Sequence, residues 1–179
     1  MDLTAALFDL CSSIQRPIIA IDGPAGAGKT TLAAHLSSAL SLKYSCTTVH
    51  MDSLYNGWHS PFDSHLTDAL TLACTAHQKS QKFSLTHFDW NKNEYGSPIE
   101  IPQSQLLILE GVGSSQSSIR PYLSASIWID IDPSVGFDRV ISRDGEVNSQ
   151  QMQEWLVQQA EHFRENNSES AADFVLTTS

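Results

Sequence analysis

Apolar positions gather in five short runs: "PIIAID", "CTTVHM", "QLLILEG", "ASIWIDID" and "ADFVLTTS". Continuous apolar runs rich in branched residues predict strands covered on both faces. Their alternation with helical or loop material predicts an α/β fold with a mainly parallel sheet. "KTTLAAHLSSAL", which follows the first run after a glycine-rich turn, reads as a helix. Three further stretches place apolar residues at helical spacing. They are Leu3, Leu7, Leu10 and Ile14; Leu66, Leu70, Ala73 and His77; and a core-facing stripe of Trp155, Leu156, Ala160 and Phe163. Between the second and third apolar runs lie about fifty residues, well beyond what a crossover needs. That insertion starts with "DSLYNGWHSPFD", passes through the Leu66 helix and ends in "FSLTHFDW" and "SPIEIP", which read as a small hairpin.

Length and composition narrow the picture. A chain of 179 residues with 41% hydrophobic residues fits one globular domain, 1–179, with no repeat, linker or low-complexity tract. Ten basic against twenty acidic residues leave a formal charge of −10, which disfavours nucleic acid and anionic membranes as partners. Cys11, Cys46 and Cys74 form neither a disulfide framework nor a zinc motif, and the first residues are acidic where a signal peptide is basic. A cytoplasmic setting is the expectation, and the oligomeric state stays open. The histidines show no metal-binding spacing, so His59, His65, His77 and His87 read as surface or packing residues and no zinc is assigned.

One stretch carries most of the chemistry. Gly23, Gly28, Lys29 and Thr30 satisfy the phosphate-loop (Walker A) pattern G-x-x-x-x-G-K-[ST], between an expected strand and an expected helix. Glycines let backbone N–H groups turn inward into a nest of phosphate donors, and the following helix points its positive end at the same place. The residues expected to hold the nucleotide are Gly23, Pro24, Ala25, Gly26, Ala27, Gly28, Lys29, Thr30 and Thr31. Lys29 would reach the outer phosphates, and the Thr30 hydroxyl would serve Mg²⁺. In parallel sheets the carboxyl ends of strands line the ligand crevice, which brings Asp52 and Glu110 to the same rim. Thr30, Asp52 and Glu110 form a hard-oxygen set suited to Mg²⁺, and Asp52 could also orient or deprotonate an acceptor hydroxyl. Arg139 and Arg143 share a helical face, the start of a short lid at about 139–150 that would clamp phosphates. "NKNE" imitates a guanine-reading motif, but it precedes the Glu110 strand and no Asp-x-x-Gly accompanies it, so it reads as a hairpin turn.

"GPAGAGKTT", "MDSLYNGW", "HFDW", "LLILEG" and "DRVISRDGE", in that order, resemble the uridine kinase and phosphoribulokinase group of P-loop kinases. The resemblance implies a P-loop NTPase fold, with a five-stranded mainly parallel sheet flanked by helices, and ATP and Mg²⁺ as donor and metal. It also implies Asp52 as catalytic base and magnesium-linked ligand, Glu110 as a helper of the metal, and an Arg-Asp lid motif at Arg143 and Asp144. Lys29, Asp52 and Arg143 are thus the expected catalytic set. Phe88, Asp89 and Trp90 correspond to an acceptor-side segment, where Phe88 stands in place of a tyrosine. The chain has Val140 beside Arg139 and few basic residues after Asp144, a thinner lid than the family's.

Residues 44–119 contain no arginine and only Lys79, Lys82 and Lys92, so a phosphorylated acceptor would lack a counter-charge. The expected acceptor is an uncharged alcohol such as a nucleoside, facing Tyr55, Trp58, Phe88, Trp90 and Tyr95 across the insertion at about 53–103. An ATP-dependent kinase is the first expectation. The alternative is a nucleotide-binding regulatory protein with weak or no transferase activity.

Overall fold

The computed structural model describes residues 3–145 and 149–178. Its elements run α1 (Leu3–Ser12), β1 (Ile18–Asp22), α2 (Lys29–Leu40), β2 (Cys46–His50), a 3-10 turn (Met51–Ser53) and α3 (Ser64–Gln78). After these come β3 (Phe83–Asp89), β4 (Glu94–Ile101), β5 (Leu106–Glu110), a second 3-10 turn (Arg120–Tyr122), β6 (Ala125–Asp130), α4 (Pro133–Asp144), α5 (Ser149–Asn166) and β7 (Phe174–Thr177).

The five apolar runs become the five strands of one parallel sheet, ordered β2-β5-β1-β6-β7. β1 and β5 are buried along their whole length, which explains why neither alternates in polarity. Successive side chains nevertheless go to different layers. Ile19, Ile21, Leu106, Ile108 and Ile127 join α1 and α2 on one face, while Ile18, Leu107 and Leu109 join α3 and α5 on the other. The insertion between β2 and β5 is α3 followed by a two-stranded antiparallel hairpin, β3 with β4, whose turn carries the "NKNE" residues.

Two helical stripes differ from expectation. α1 stops at Ser12, and Ile14 lies in a turn, 39% exposed. The Ser12 and Ser13 hydroxyls donate to the Asp9 and Leu10 carbonyls, which competes with continuing the helix. Leu7 and Cys11 supply the buried face instead. On α5, Ala160 is exposed, and the buried positions are Met152, Trp155, Gln159 and His162. The stripe is turned toward the carboxyl edge of the sheet, where the polar groups of Gln159 and His162 face the loops. Of the expected lid, 139–145 and 149–150 are described, and 146–148 lie outside the described residues.

The carboxyl end of β1 is held by Asp22, which is 1% exposed. Its Oδ1 accepts the Gly23 N–H (2.8 Å) and the Gly113 N–H (3.0 Å). Its Oδ2 accepts the Ser115 N–H (3.0 Å) and the Ser115 hydroxyl (2.7 Å). One carboxylate thereby joins the start of the phosphate loop to the segment after β5. Asp22→Ala would strand three buried N–H donors and should lower unfolding stability by at least about 3 kcal/mol, with Asp22→Asn between it and the wild type. Urea denaturation of the three proteins, followed by circular dichroism, checks the order.

Candidate active site

The loop Gly23–Gly28 climbs from β1 into α2, whose first residue is Lys29. Its glycines are required by shape. A Cβ on Gly23 would overlap the Ile129 carbonyl of β6, one on Gly26 would overlap Gly136 of α4, and both backbones sit at positive φ (138° and 79°). The loop therefore lies tight against β6 and α4. In front of it opens a cleft of about 690 Å³, within the usual range for small-molecule sites.

The loop side of that cleft is lined by Ala25, Gly26, Gly28, Lys29, Thr30 and Thr31. Gly23, Pro24 and Ala27 stand behind it. Ala27 packs into the α1–α2 layer, and Pro24 offers its carbonyl to the Ala27 N–H and to Lys29. The Lys29 ammonium is 2.7 Å from that carbonyl, folded back on its own loop. Burial pushes its pKa down, while Asp22, Asp52 and Glu110 pull the other way.

Glu110 closes β5 and is 4% exposed. The Thr30 hydroxyl donates to its two oxygens at 3.2 and 3.3 Å, and His50 Nδ1 lies 2.5 Å from Oε1. The bond to Glu110 raises the His50 pKa, more than partial burial lowers it. Register explains the meeting, because His50 pairs with Glu110 across β2 and β5. His50 was not singled out by sequence; its position at the end of an apolar run, like that of Glu110, was the available signal.

Asp52 sits in the 3-10 turn after β2 and opens into the cleft. Although solvent reaches it from the cleft side, crowding by protein on its other sides drives its carboxyl above the usual range. Lys29 opposes the rise, Glu110 adds to it, and Arg143 and His50 oppose it. Arg139 and Arg143 project from α4 to the same cleft. Arg139 Nη1 donates to the Gly26 carbonyl at 3.3 Å. Arg143 forms a two-pronged pair with its neighbour Asp144, at 2.6 and 2.7 Å. Asp144 also lines the cleft.

The far side of the cleft is aromatic. Tyr55, Trp58, Trp90 and Trp155 line it together with Asn91, Val112 and Met152. Trp58 meets Trp90 edge to face at 5.1 Å between ring centroids and Trp155 at 6.0 Å. The Trp90 indole N–H donates to the Asp52 carbonyl at 2.8 Å, and the Tyr55 hydroxyl donates to the Val112 carbonyl at 2.9 Å. Phe88 and Asp89, expected beside the acceptor, are not among the cleft residues. Phe88 is buried between Trp90 and Tyr95, the register shift between Thr86 and Phe88 having turned it, rather than His87, into the hairpin's packed face. Asp89 caps the hairpin turn by accepting the Asn91 and Lys92 N–H groups, which hold its carboxyl below the ordinary range. Trp155, read from sequence as core, and Met152, which the sequence reading passed over, both line the cleft from α5.

The donor set Thr30, Asp52 and Glu110 consists of one hydroxyl and two carboxylates. Among the described residues no group of three or more His, Cys, Asp or Glu is arranged to hold a metal. A metal binding here would take few protein ligands and complete its shell with phosphate and water, the habit of Mg²⁺.

No family model matches the chain, and no curated protein does. Solved structures match over nearly its whole length. A possible uridine kinase from Bacillus stearothermophilus aligns with TM-score 0.69 and 19% identity, covering 98% of this chain and 100% of that one. A Silicibacter sp. TM1040 protein described as a candidate fructose transport system kinase aligns with TM-score 0.73 and 17% identity, covering 98% of each chain. The D-glycerate 3-kinase of Cryptococcus neoformans var. grubii aligns with TM-score 0.67 and 11% identity, covering 99% and 96%. The chain has the fold of the uridine-kinase-like P-loop kinases.

Below the cleft, His162 of α5 stacks on Phe62 at 4.6 Å. Burial lowers its pKa from the ordinary 6.5, against the pull of Asp22 and Glu165. The folded protein thus prefers neutral His162, a stabilisation fully present above pH 6.5 and lost as the pH falls below it. Thermal stability measured from pH 7.5 to 5 should decline less steeply in His162→Gln than in the wild type.

Proposed function

We propose that the protein is an ATP-dependent kinase that transfers the γ-phosphate to a hydroxyl of an uncharged, nucleoside-like small molecule. The observation that carries this reading is the convergence of Lys29, Asp52, Glu110 and Arg143 on a single cleft with an aromatic far wall. Donor and acceptor would meet between the phosphate loop and Trp58, with Asp52 on the line between them.

Phosphoryl transfer needs alignment and charge stabilisation more than covalent help. In this reading the loop amides and Lys29 hold the β- and γ-phosphates, and Lys29 leaves the Pro24 carbonyl to do so. Thr30, Asp52 and Glu110 would hold Mg²⁺, which neutralises phosphate charge when bound. The Asp52 carboxylate orients the acceptor hydroxyl and takes its proton, a task that its raised pKa favours. Arg143 turns from Asp144 to the phosphates. That exchange is cheap, because an ion pair with both side chains this exposed contributes only about 0–1 kcal/mol. The acceptor wall carries no Lys or Arg beyond those on the donor side, which suits an uncharged ligand with a flat ring.

The Arg143–Asp144 pair also favours a second reading, a regulatory nucleotide-binding protein whose phosphate clamp stays engaged with its neighbour. Purified protein supplied with labelled ATP, Mg²⁺ and a panel of nucleosides, sugars and other alcohols separates the two. A phosphorylated product is expected on the kinase reading, and its absence across the panel favours the regulator. Asp52→Asn should keep ATP binding and lose about a hundredfold or more in turnover. Unchanged turnover would remove Asp52 from the mechanism.

A further inference from the structure

Gln159 is the one amide in the buried stripe of α5 and is 5% exposed. A buried amide needs partners. Gln159 Oε1 finds one far away in sequence, accepting the backbone N–H of Ala25 in the phosphate loop at 3.1 Å. The peptide unit that supplies this N–H is the one whose carbonyl, on Pro24, accepts the Lys29 ammonium and the Ala27 N–H. One side of the peptide plane is therefore fastened to α5 and the other to the lysine that faces the phosphates.

The next peptide unit is hemmed in as well. The Ala25 carbonyl lies so close to Gly136 of α4 that a Cβ there would come within 2.6 Å of it. Both peptide planes flanking Ala25 are thus set by helices outside the loop. Beyond it, Gly28 at φ 94°, with open space around its Cα, has the freedom to let the loop rearrange if Ala25 turned. When Lys29 swings from Pro24 to a phosphate, the Pro24 carbonyl loses its ammonium partner. The Gln159 bond on the N–H side, together with the Ala27 N–H still on the carbonyl, then keeps the plane from following.

We propose that Gln159 is a positioning residue for nucleotide binding, holding the Pro24–Ala25 peptide in the orientation that presents the loop to phosphates. The inference rests on the phosphate-loop reading above. It deepens that reading by assigning part of the site's preorganisation to a helix that touches no phosphate. A methionine at 159 would keep the helix and the buried volume while removing the acceptor oxygen.

Calorimetric titration with MgATP is the test, on the wild type, Gln159→Met and the exposed-face control Gln153→Met. Gln159→Met should bind about three- to tenfold more weakly, the worth of one neutral hydrogen bond, with the control unchanged. Wild-type affinity in Gln159→Met, or equal weakening in both variants, would overturn the proposal. Should Gln159→Met not fold, amide hydrogen exchange of the nucleotide-free wild type reads the contact directly. The Ala25 N–H should exchange far more slowly than that of exposed Gly28, and equal rates would overturn the proposal. A wild type that ignores MgATP while its Ala25 amide stays protected would sink the kinase reading and leave the contact standing without the role.

Discussion

Everything at the carboxyl edge of the sheet depends on keeping two loops together that have no covalent reason to meet. The Asp22 carboxylate does this, receiving hydrogen bonds from the start of the phosphate loop and from the turn that follows β5. A buried charge is costly unless its lone pairs are satisfied, and here each oxygen accepts two donors. With that tie in place, β1 and β5 deliver Lys29, Thr30 and Glu110 to one spot. The β5 register across to β2 then brings His50 and Asp52 beside them.

An acidic chain can attract a polyphosphate only by concentrating positive potential locally. On the proposed reading Lys29, Arg139, Arg143 and the loop amides would supply it, in a cleft that Asp52 and Glu110 also line. The opposite wall is built from side chains that interact through area and ring geometry rather than charge. α5 runs beneath both: Gln159 holds the loop, the Gln158 amide donates to the Trp58 carbonyl at 2.9 Å, and Trp155 sits between them. Adjacent residues on a helix point about 100° apart, so one helix can brace two walls at once.

The strands, the loop and the rim acids were legible because each depends on local pattern. An apolar run too long and too branched for a turn becomes a buried strand, and a Gly-rich stretch between strand and helix becomes a tight loop. The facing of Phe88 and Asp89 was not legible, because a bulge between Thr86 and Phe88 shifts the hairpin register and breaks the simple alternation of side chains. Trp155 belongs to the core stripe that its spacing predicts. That its other edge borders the cleft depends on where α5 lies.

Sequence alone determined the α/β alternation, the glycine-rich loop between β1 and α2 and the acids at the strand tips, since these follow from periodicity, glycine geometry and strand direction within short stretches. Tertiary structure alone decided that Asp22 would bind Ser115, that His50 would face Glu110 and that Gln159 would reach Ala25. Those contacts join residues sixty or more positions apart. Their existence depends on strand order and helix placement, which the whole chain settles together through burial of its two apolar layers.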